Sequence, residues 1–347
     1  MIGVIGSKGN IGNECVNLLK KYEKMPFKVG NRSPDLDSDR FYMSEQVDIN
    51  NEESCIKFLK DCRCVINCTS VREMGTLLSI AKKTHTNVID VHRDDKIYYS
   101  KENIVYTNVG VSPGLTEAIP AFCKMKFGEI ERLKLMHIVN YKFSYEGAKE
   151  YLEYTFGNEI SPMTSIKNCT VVPNKCLDTN ITMGDESYKK LIYTDDTVKR
   201  ICSILNIQNA EFSICFINGQ VYQLLKSIKN IDIDINELSK NLVIASMLDT
   251  EILPVKEEFV VYVTTKTNKQ YTVLLKSTSA SKLTATAAIA MSIFSLKENR
   301  TGVFKMYETN MLMEMFDIMK TIDKSLFFKI YDGILENIDF KDSGVIE

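Results

Sequence analysis

Three short stretches hold residues whose types and spacing suit chemistry. Gly6-Ser7-Lys8-Gly9-Asn10-Ile11-Gly12 reads G-x-x-G-x-x-G. Glycines at this spacing permit a tight turn and remove the Cβ atoms that would keep a pyrophosphate away from the backbone. A helix starting near Ile11 would add unpaired N–H groups and a positive dipole end. Asn31-Arg32-Ser33 closes the next apolar run. A ribose with a free 2′-hydroxyl usually meets an Asp or Glu at that point, but no carboxylate occurs before Asp35. Arg32 offers a planar fork for a phosphate dianion and Ser33 a hydroxyl, which favours NADP over NAD. The third stretch is Asp90-Val91-His92-Arg93. Histidine is the residue type that can exchange a proton near neutral pH, which makes His92 a candidate acid or base; Asp90 can orient it or act itself, and Arg93 can pair with a substrate carboxylate.

Other reactive side chains are less promising. The only histidines besides His92 are His85 and His137, too few for a metal site. His137 sits on an apolar strand face and reads as a core histidine with its bonds satisfied. Tyr141 and Tyr145 could face a cleft, with packing the simpler reading. Ten cysteines are scattered, and the Cys62, Cys64, Cys68 cluster has no CxxC pairing. In so long a chain they read as reduced, mostly structural thiols.

The elements that must position these groups begin with an apolar run at 2–5. Ile11, Cys15, Leu18, Leu19 and Tyr22 then recur at helical spacing. Strands are expected at 27–29, 45–49, 64–67, 87–91 and 104–109. Helices are expected at 52–60, where Asn50-Asn51 offer a cap, at 74–83, and after Ser112-Pro113-Gly114. Apolar strands alternating with amphipathic helices mean parallel βαβ units in a doubly wound sheet. A glycine loop after the first strand of such a sheet is a far stronger signal than the same loop alone.

The pattern then changes. Leu133, Leu135, His137, Val139 and Tyr141 alternate with Lys134, Asn140 and Lys142. Further strands are expected at 211–217 and 258–277, the latter folded at Lys266-Thr267-Asn268-Lys269, with helices at 195–205, 221–229 and 235–249. These suggest an antiparallel sheet covered by helices, an α+β domain. The stretch 281–296 is a helix apolar on most sides, expected to be buried and to return to the first domain. The stretch 306–335 reads as helical and the tail beyond it as frayed. The division is therefore a dinucleotide-binding Rossmann domain at 1–127, an α+β substrate domain at 128–278, and C-terminal helices at 279–347 packed back on the first.

Composition bounds the rest. A chain of 347 residues favours about two domains. With 44% hydrophobic and 25% charged residues it is an ordinary globular chain, not a disordered, collagenous or coiled-coil one. Lys and Arg number 43 against 45 Asp and Glu, a net charge of −2. No global field recruits nucleic acid or anionic membrane, so neither is an expected partner. No apolar run reaches the ~18 residues of a membrane helix and none resembles a secretory signal, so a cytoplasmic location is expected.

The order of these features resembles the saccharopine dehydrogenase-like oxidoreductases. Besides the glycine loop and Asn31-Arg32-Ser33, the similarity rests on four motifs. These are Gln46-Val47-Asp48-Ile49, Cys64-Val65-Ile66-Asn67-Cys68, Val88-Ile89-Asp90-Val91 and Gly110-Val111-Ser112-Pro113-Gly114-Leu115. It spans about the first 125 residues and, through an Ala-rich helix and Thr301-Gly302-Val303-Phe304, about 280–308. The middle carries no matching motif.

The resemblance implies a Rossmann domain interrupted by a catalytic domain with a mixed or antiparallel sheet. It also implies hydride transfer to or from a carbon–nitrogen bond of an amino-acid-derived amine, other members reducing different unsaturated or carbonyl substrates. By matching positions, Gly6, Ser7, Lys8, Gly9, Asn10, Ile11 and Gly12 would hold the pyrophosphate. Asn31, Arg32 and Ser33 would surround the adenosine ribose, and Asp48 and Ile49 would flank the adenine. Cys68, Thr69 and Ser70 would meet the nicotinamide ribose, with Pro113 and Gly114 nearby. Asp90, His92 and Arg93 would be catalytic. The expected partners are a small carboxylate-bearing substrate and a second copy of the chain in a homodimer. Two other readings compete: a non-catalytic dinucleotide sensor or scaffold, and a reductase of a ketone or cyclic imine.

Overall fold

The computed structural model describes residues 1–22, 25–33, 42–71, 74–93, 98–157, 160–174, 180–183, 186–228 and 234–335. Asp35, the end of the helix expected at 221–229 and the tail after Leu335 lie outside these residues. The chain divides into two compact units. One comprises Met1–Phe122 and Ala280–Leu326, the other Cys123–Ser279 and the segment from Phe327 onward.

In the first unit β1 (Ile2–Ile5), α1 (Asn10–Tyr22), β2 (Phe27–Asn31), β3 (Tyr42–Gln46), α2 (Glu52–Leu59) and β4 (Cys64–Asn67) lead off. Then come α3 (Gly75–Lys83), β5 (Asn87–Asp90), β6 (Ile104–Thr107) and α4 (Leu115–Phe127), the last of which runs into the second unit. Every residue of β1, β4 and β6 is buried, as a parallel sheet covered on both faces requires. The sheet order is Gly302–Lys305, β6, β5, β4, β1, β2, β3, with all pairings parallel. The winding reverses between β1 and β4, and ligands bind such sheets in the crevice at the carboxyl ends of the strands there. α2 starts at the expected cap: Asn51 Oδ1 accepts the Ser54 N–H at 2.9 Å. Such a cap contributes about 1 kcal/mol. Phe58, Leu59, Leu77, Ile80 and Ala81 of α2 and α3 form one apolar layer with Val65, Val88 and Val105 of the sheet. β3 lies at 42–46 and not at 45–49. It is a half-exposed edge strand, so the more apolar Val47 and Ile49, which turn into the core, mimic a strand in the sequence.

The second unit contains β7 (Ile130–Asn140), α5 (Tyr145–Phe156), β8 (Ser161–Pro162), β9 (Thr164–Lys167), β10 (Thr170–Pro173) and β11 (Asn180–Met183). These are followed by β12 (Glu186–Thr194), α6 (Asp196–Ile204), β13 (Asn209–Ile217), α7 (Gln220–Ser227), α8 (Ile235–Ile252), β14 (Lys256–Thr265) and β15 (Gln270–Ser277). Its ten-stranded sheet runs β10-β9-β13-β7-β14-β15 and then Phe327–Asp332, with β12 also pairing β13. β7 is antiparallel to β14 but parallel to β13. The sheet is therefore mixed, where the sequence suggested an antiparallel one. The chain between β7 and β13 includes α5 and α6, and a connection of that length allows a parallel return.

The last part of the chain serves both units. α9 (Ala280–Ser295) is buried from Leu283 to Ser295 and packs on α1, β4 and β5 of the first unit. Its small Ala, Ser and Thr residues permit that close approach, and Asn87 Nδ2 donates to the Ser295 carbonyl at 2.7 Å. The stretch 306–335 is not helical throughout. After β16 (Gly302–Lys305), which joins the parallel sheet, come two short 3₁₀ turns and α10 (Met315–Ile322), and then β17 (Phe327–Asp332). β17 pairs antiparallel with β15, so this segment adds to the second sheet and does not pack back as a helix.

Candidate functional site

The loops that leave β1, β2, β4, β5 and β6 at their carboxyl ends gather most of the residues singled out in the sequence. The glycine loop is closed by its own backbone. Gly6 N–H donates to the Gly30 carbonyl at 2.8 Å, Gly9 N–H to Gly6 at 3.1 Å and Asn13 N–H to Gly9 at 2.8 Å. Its glycines serve different ends. Gly6 has φ +81°, and a Cβ there would lie 2.7 Å from the Cys68 carbonyl oxygen. A Cβ at Gly12 would lie 2.2 Å from the Gly6 carbonyl oxygen. Both are demanded by the fold itself. Gly9 is not: its Cβ would find only Gly6 O at 3.4 Å and Cys68 O at 4.0 Å. The protein thus leaves room beside Gly9, at the start of α1, where first-turn N–H groups have no partner within the helix. That is a cradle a phosphate can enter and a side chain would fill.

Asn31 does something the sequence did not reveal. Its Nδ2 donates to Ser7 Oγ at 2.7 Å and its Oδ1 accepts the Lys8 N–H at 3.2 Å. The end of β2 therefore holds the glycine loop in shape. Arg32 and Ser33 follow it and are exposed, while Gln46 Nε2 donates to the Arg32 carbonyl at 3.0 Å. The Arg32 backbone is tethered and its guanidinium stands at the sheet edge. Asp48 Oδ1 accepts the Asn50 N–H at 3.0 Å, capping the turn into α2. Ile49 is buried in the apolar layer with Phe58 and Leu59, so its side chain belongs to the core.

Beyond β4 and β5 lies a connected polar group. Asn67, fully buried at the end of β4, donates from Nδ2 to Asp90 Oδ1 at 2.9 Å. Its Oδ1 accepts from Thr69 Oγ1 at 2.9 Å and from the Thr69 N–H at 3.3 Å. Asp90 Oδ1 also meets His92 Nδ1 at 3.3 Å, with side chains 1% and 22% exposed respectively. A buried carboxylate thus orients a partly exposed imidazole, and Asn67, itself held by Thr69, braces that carboxylate. The sequence signal for Asn67 was a polar residue ending an otherwise apolar buried strand. Arg93 is half-buried in the same loop, and Ser70 is exposed. The Cys15 thiol beside it, together with burial, pushes the Cys68 thiol well up, so Cys68 stays a neutral thiol at physiological pH. After β6, Gly114 adopts φ +126°, and a Cβ there would lie 2.3 Å from the Gly110 carbonyl oxygen. The turn with Pro113 is therefore tightly folded before α4.

The second unit holds a different polar group. His137 Nε2 meets Glu257 Oε1 at 2.5 Å across β7 and β14, with side chains 7% and 0% exposed. The His137 ring stacks on Phe259 at 4.4 Å between centroids. Glu257 Oε2 has no hydrogen-bond partner among the described residues. Tyr141 packs against Phe143, their ring centroids 4.9 Å apart. Burial, and after it the charge of Glu257, pushes the Tyr141 hydroxyl well up. Tyr145 instead donates to Asn236 Oδ1 at 3.1 Å near the surface. Among the described residues, no three His, Cys, Asp or Glu side chains are grouped to hold a metal, and no helix is long and apolar enough to cross a membrane.

No family model matches this chain, and no curated protein matches it. Among solved structures it is similar to apo saccharopine dehydrogenase (L-Glu forming) from Saccharomyces cerevisiae. That likeness has a TM-score of 0.63 at 10% identity, over 96% of this chain and 99% of the other. A candidate oxidoreductase from Thermotoga maritima overlaps 80% of this chain and 82% of its own, with TM-score 0.34 and 11% identity. Uronate dehydrogenase from Agrobacterium tumefaciens, complexed with NAD, overlaps 37% and 57%, with TM-score 0.25 and 17% identity. What the first of these establishes is the fold. The chain has the Rossmann-type architecture with a second α+β unit that saccharopine dehydrogenase has, as the sequence resemblance led one to expect.

Proposed function

We propose that this chain is a cytoplasmic NADP-dependent oxidoreductase of saccharopine dehydrogenase-like type. It would move hydride to or from a C=N or C=O carbon of a small amino-acid-derived substrate, acting by preference on CH–NH and using NAD less well. One observation carries this reading. A glycine cradle left open at Gly9 shares a parallel-sheet edge with a histidine oriented by a buried carboxylate.

In this reading Gly6 to Gly12 bind the pyrophosphate through backbone N–H groups, and Asn31 keeps their loop in shape. Arg32 pairs with the 2′-phosphate and Ser33 assists it. The edge of Asp48 and the backbone of Ile49 flank the adenine, and Cys68, Thr69, Ser70 and the Pro113-Gly114 turn line the path toward the nicotinamide ribose. When bound, the nicotinamide supplies or accepts the hydride. His92 holds the proton that the substrate nitrogen or oxygen needs as its carbon is reduced, and takes it back in the oxidative direction. Asp90 orients the imidazole and stabilises its charged form. Arg93 binds a substrate carboxylate.

The test is fluorescence titration with NADPH and NADH, followed by NADPH oxidation against a panel of amines combined with keto acids. Tight NADPH binding with turnover in that panel supports the reading. Binding without turnover on any amine, ketone or cyclic imine would make the chain a dinucleotide sensor. Gly9→Val should abolish binding while circular dichroism and melting stay normal, because nothing in the protein crowds that position. A Gly9→Val protein that binds NADPH like wild type would remove this loop from the site.

A further inference from the structure

Most of the described cysteines are buried, Cys68 is half-buried and Cys169 is exposed. Two of them meet beside the glycine loop. Cys15 is fully buried in the second turn of α1, one turn beyond Gly12 on the same side of the helix. Cys68 follows Asn67 at the end of β4, and its N–H donates to the Ile5 carbonyl at 2.9 Å. The Cys15 thiol lies within hydrogen-bonding reach of the Cys68 thiol. Gly6 is the point on which both elements converge. A Cβ on Gly12 would lie 2.2 Å from the Gly6 carbonyl oxygen. A Cβ on Gly6 would lie 2.7 Å from the Cys68 carbonyl oxygen and 2.9 Å from the Thr69 nitrogen. α1 and the end of β4 thus press on one glycine, and their thiols come together next to it.

Nothing in hydride transfer uses Cys15. A partly exposed thiol next to a buried one has the layout of an oxidisable pair, in which the outer sulfur meets the oxidant and the inner one resolves the product. With hydrogen peroxide as oxidant, the Cys68 sulfur attacks one peroxide oxygen and the O–O bond breaks. Water leaves and a sulfenic acid remains. The Cys15 sulfur then attacks the Cys68 sulfur, and the hydroxyl departs as a second water. Both thiol hydrogens end in water, and two electrons pass from the sulfur pair to peroxide. Because Cys68 is held protonated, the first step is slow at neutral pH, so the pair answers to sustained peroxide and not to a brief exposure.

Two bonded sulfurs lie closer together than two thiols in contact. The backbone of Cys68 and Thr69 already lies against Gly6, so it cannot take up that shift without moving the glycine loop. Thr69 also holds Asn67, the brace of Asp90. We propose that Cys15 and Cys68 form a peroxide-driven disulfide that deforms the glycine loop and switches off dinucleotide binding. The bond itself is independent of the oxidoreductase reading; its effect on NADPH rests on that reading.

The test treats the purified full chain with hydrogen peroxide, unfolds it in N-ethylmaleimide and maps its peptides by mass without reduction. A Cys15–Cys68 cross-link is expected, two hydrogens lighter than the reduced pair. NADPH affinity should fall about tenfold or more, the worth of one charge-assisted bond from the loop to the pyrophosphate. Dithiothreitol should restore it. NADPH bound beforehand should slow the cross-link, because it covers Cys68. In Cys15→Ala, peroxide should stop at the Cys68 sulfenic acid, and the melting temperature of the reduced variant checks its fold. The wild-type map decides the question without that variant. Alkylated Cys15 and Cys68, with oxidation confined to the exposed Cys169, would overturn the proposal. So would a mapped cross-link that leaves NADPH affinity at its reduced value. If the reduced chain bound no NADPH, the oxidoreductase reading would fall, while the mapped bond would still decide for or against the thiol pair.

Discussion

Two histidine–carboxylate pairs in this chain look alike on paper and differ in what they can do. His92 and Asp90 stand 3.3 Å apart just beyond the end of β5, the imidazole 22% exposed. His137 and Glu257 stand 2.5 Å apart across the neighbouring strands β7 and β14, the imidazole 7% exposed and stacked on Phe259. The first pair lies where a parallel sheet offers its ligand-binding edge. The second lies inside a sheet face covered by helices. Exposure, and not residue type, separates the two: solvent reaches the His92 imidazole, while the His137–Glu257 pair is buried.

The largest expected effect on this contrast is on turnover. A positioned proton donor is worth ~10²–10⁴-fold, so His92→Ala should lower kcat by that order. Its NADPH affinity and melting temperature should stay near wild type. A pH–rate profile checks the role directly: the limb assigned to His92 should vanish in the variant. Identical limbs in both proteins would make His92 a bystander.

His137→Ala should act in the opposite sense. It leaves the Glu257 carboxylate buried without its partner, which costs about 3–5 kcal/mol. Urea unfolding should show that loss, with kcat of the remaining folded enzyme little changed. If His137→Ala instead removed activity at full stability, the contrast between the two pairs would collapse.

Two arginines of the first unit sharpen the same comparison. Arg32 stands exposed at the sheet edge. Arg300 donates from Nε to Glu298 Oε2 at 2.8 Å and from Nη2 to Tyr106 OH at 2.7 Å. Arg32→Ala should weaken NADPH about ten- to a hundredfold, the worth of a charge-assisted bond, and leave NADH and stability unchanged. Equal losses for the two cofactors would end the 2′-phosphate assignment.

The smallest effect concerns acid stability. Burial opposes ionisation of Glu298, but bonds from Thr309, Tyr106 and Arg300 outweigh it and hold its carboxyl below the ordinary value. A carboxyl depressed in the folded state stabilises the protein above its unfolded value, and that contribution is lost as pH falls through the folded one. Glu298→Gln should therefore melt lower than wild type at neutral pH. The gap should narrow as melts are taken at progressively lower pH below about 4.5. A gap independent of pH would mean that the carboxylate charge contributes nothing.

Much of the first unit was legible in the residues themselves. β1, β4, β5 and β6 are buried on both faces and so read as apolar runs, and the Asn51 cap marked the start of α2. The second unit was harder to read. β8 to β11 are short, and the described side chains of β10 and β11 are mostly exposed, so they carry neither an apolar run nor a clear alternation. α5 passed unnoticed. β17, with Phe327, Phe328, Ile330 and Tyr331 only half-buried, read as part of a helix. At the candidate site the glycine loop and the Asp90–His92 stretch were visible, because each lies within a few residues of chain. Asn31 as the brace of the glycine loop and Asn67 as the brace of Asp90 were not, because each bond joins the ends of two different strands.

What the sequence determined by itself is therefore local: strand and helix periods, caps, and the glycine turn at the first βα junction. These follow from backbone sterics and burial within a window of a few residues. The tertiary structure alone decided which distant groups meet. It brought Glu257 to His137, turned β13 parallel to β7, and gave β17 to the second sheet. It also showed that Gly6 and Gly12 are glycines for the protein's own packing, while Gly9 leaves space. Such facts depend on strand order and register, which arise from the burial of whole faces against one another and leave no mark on any single stretch of residues.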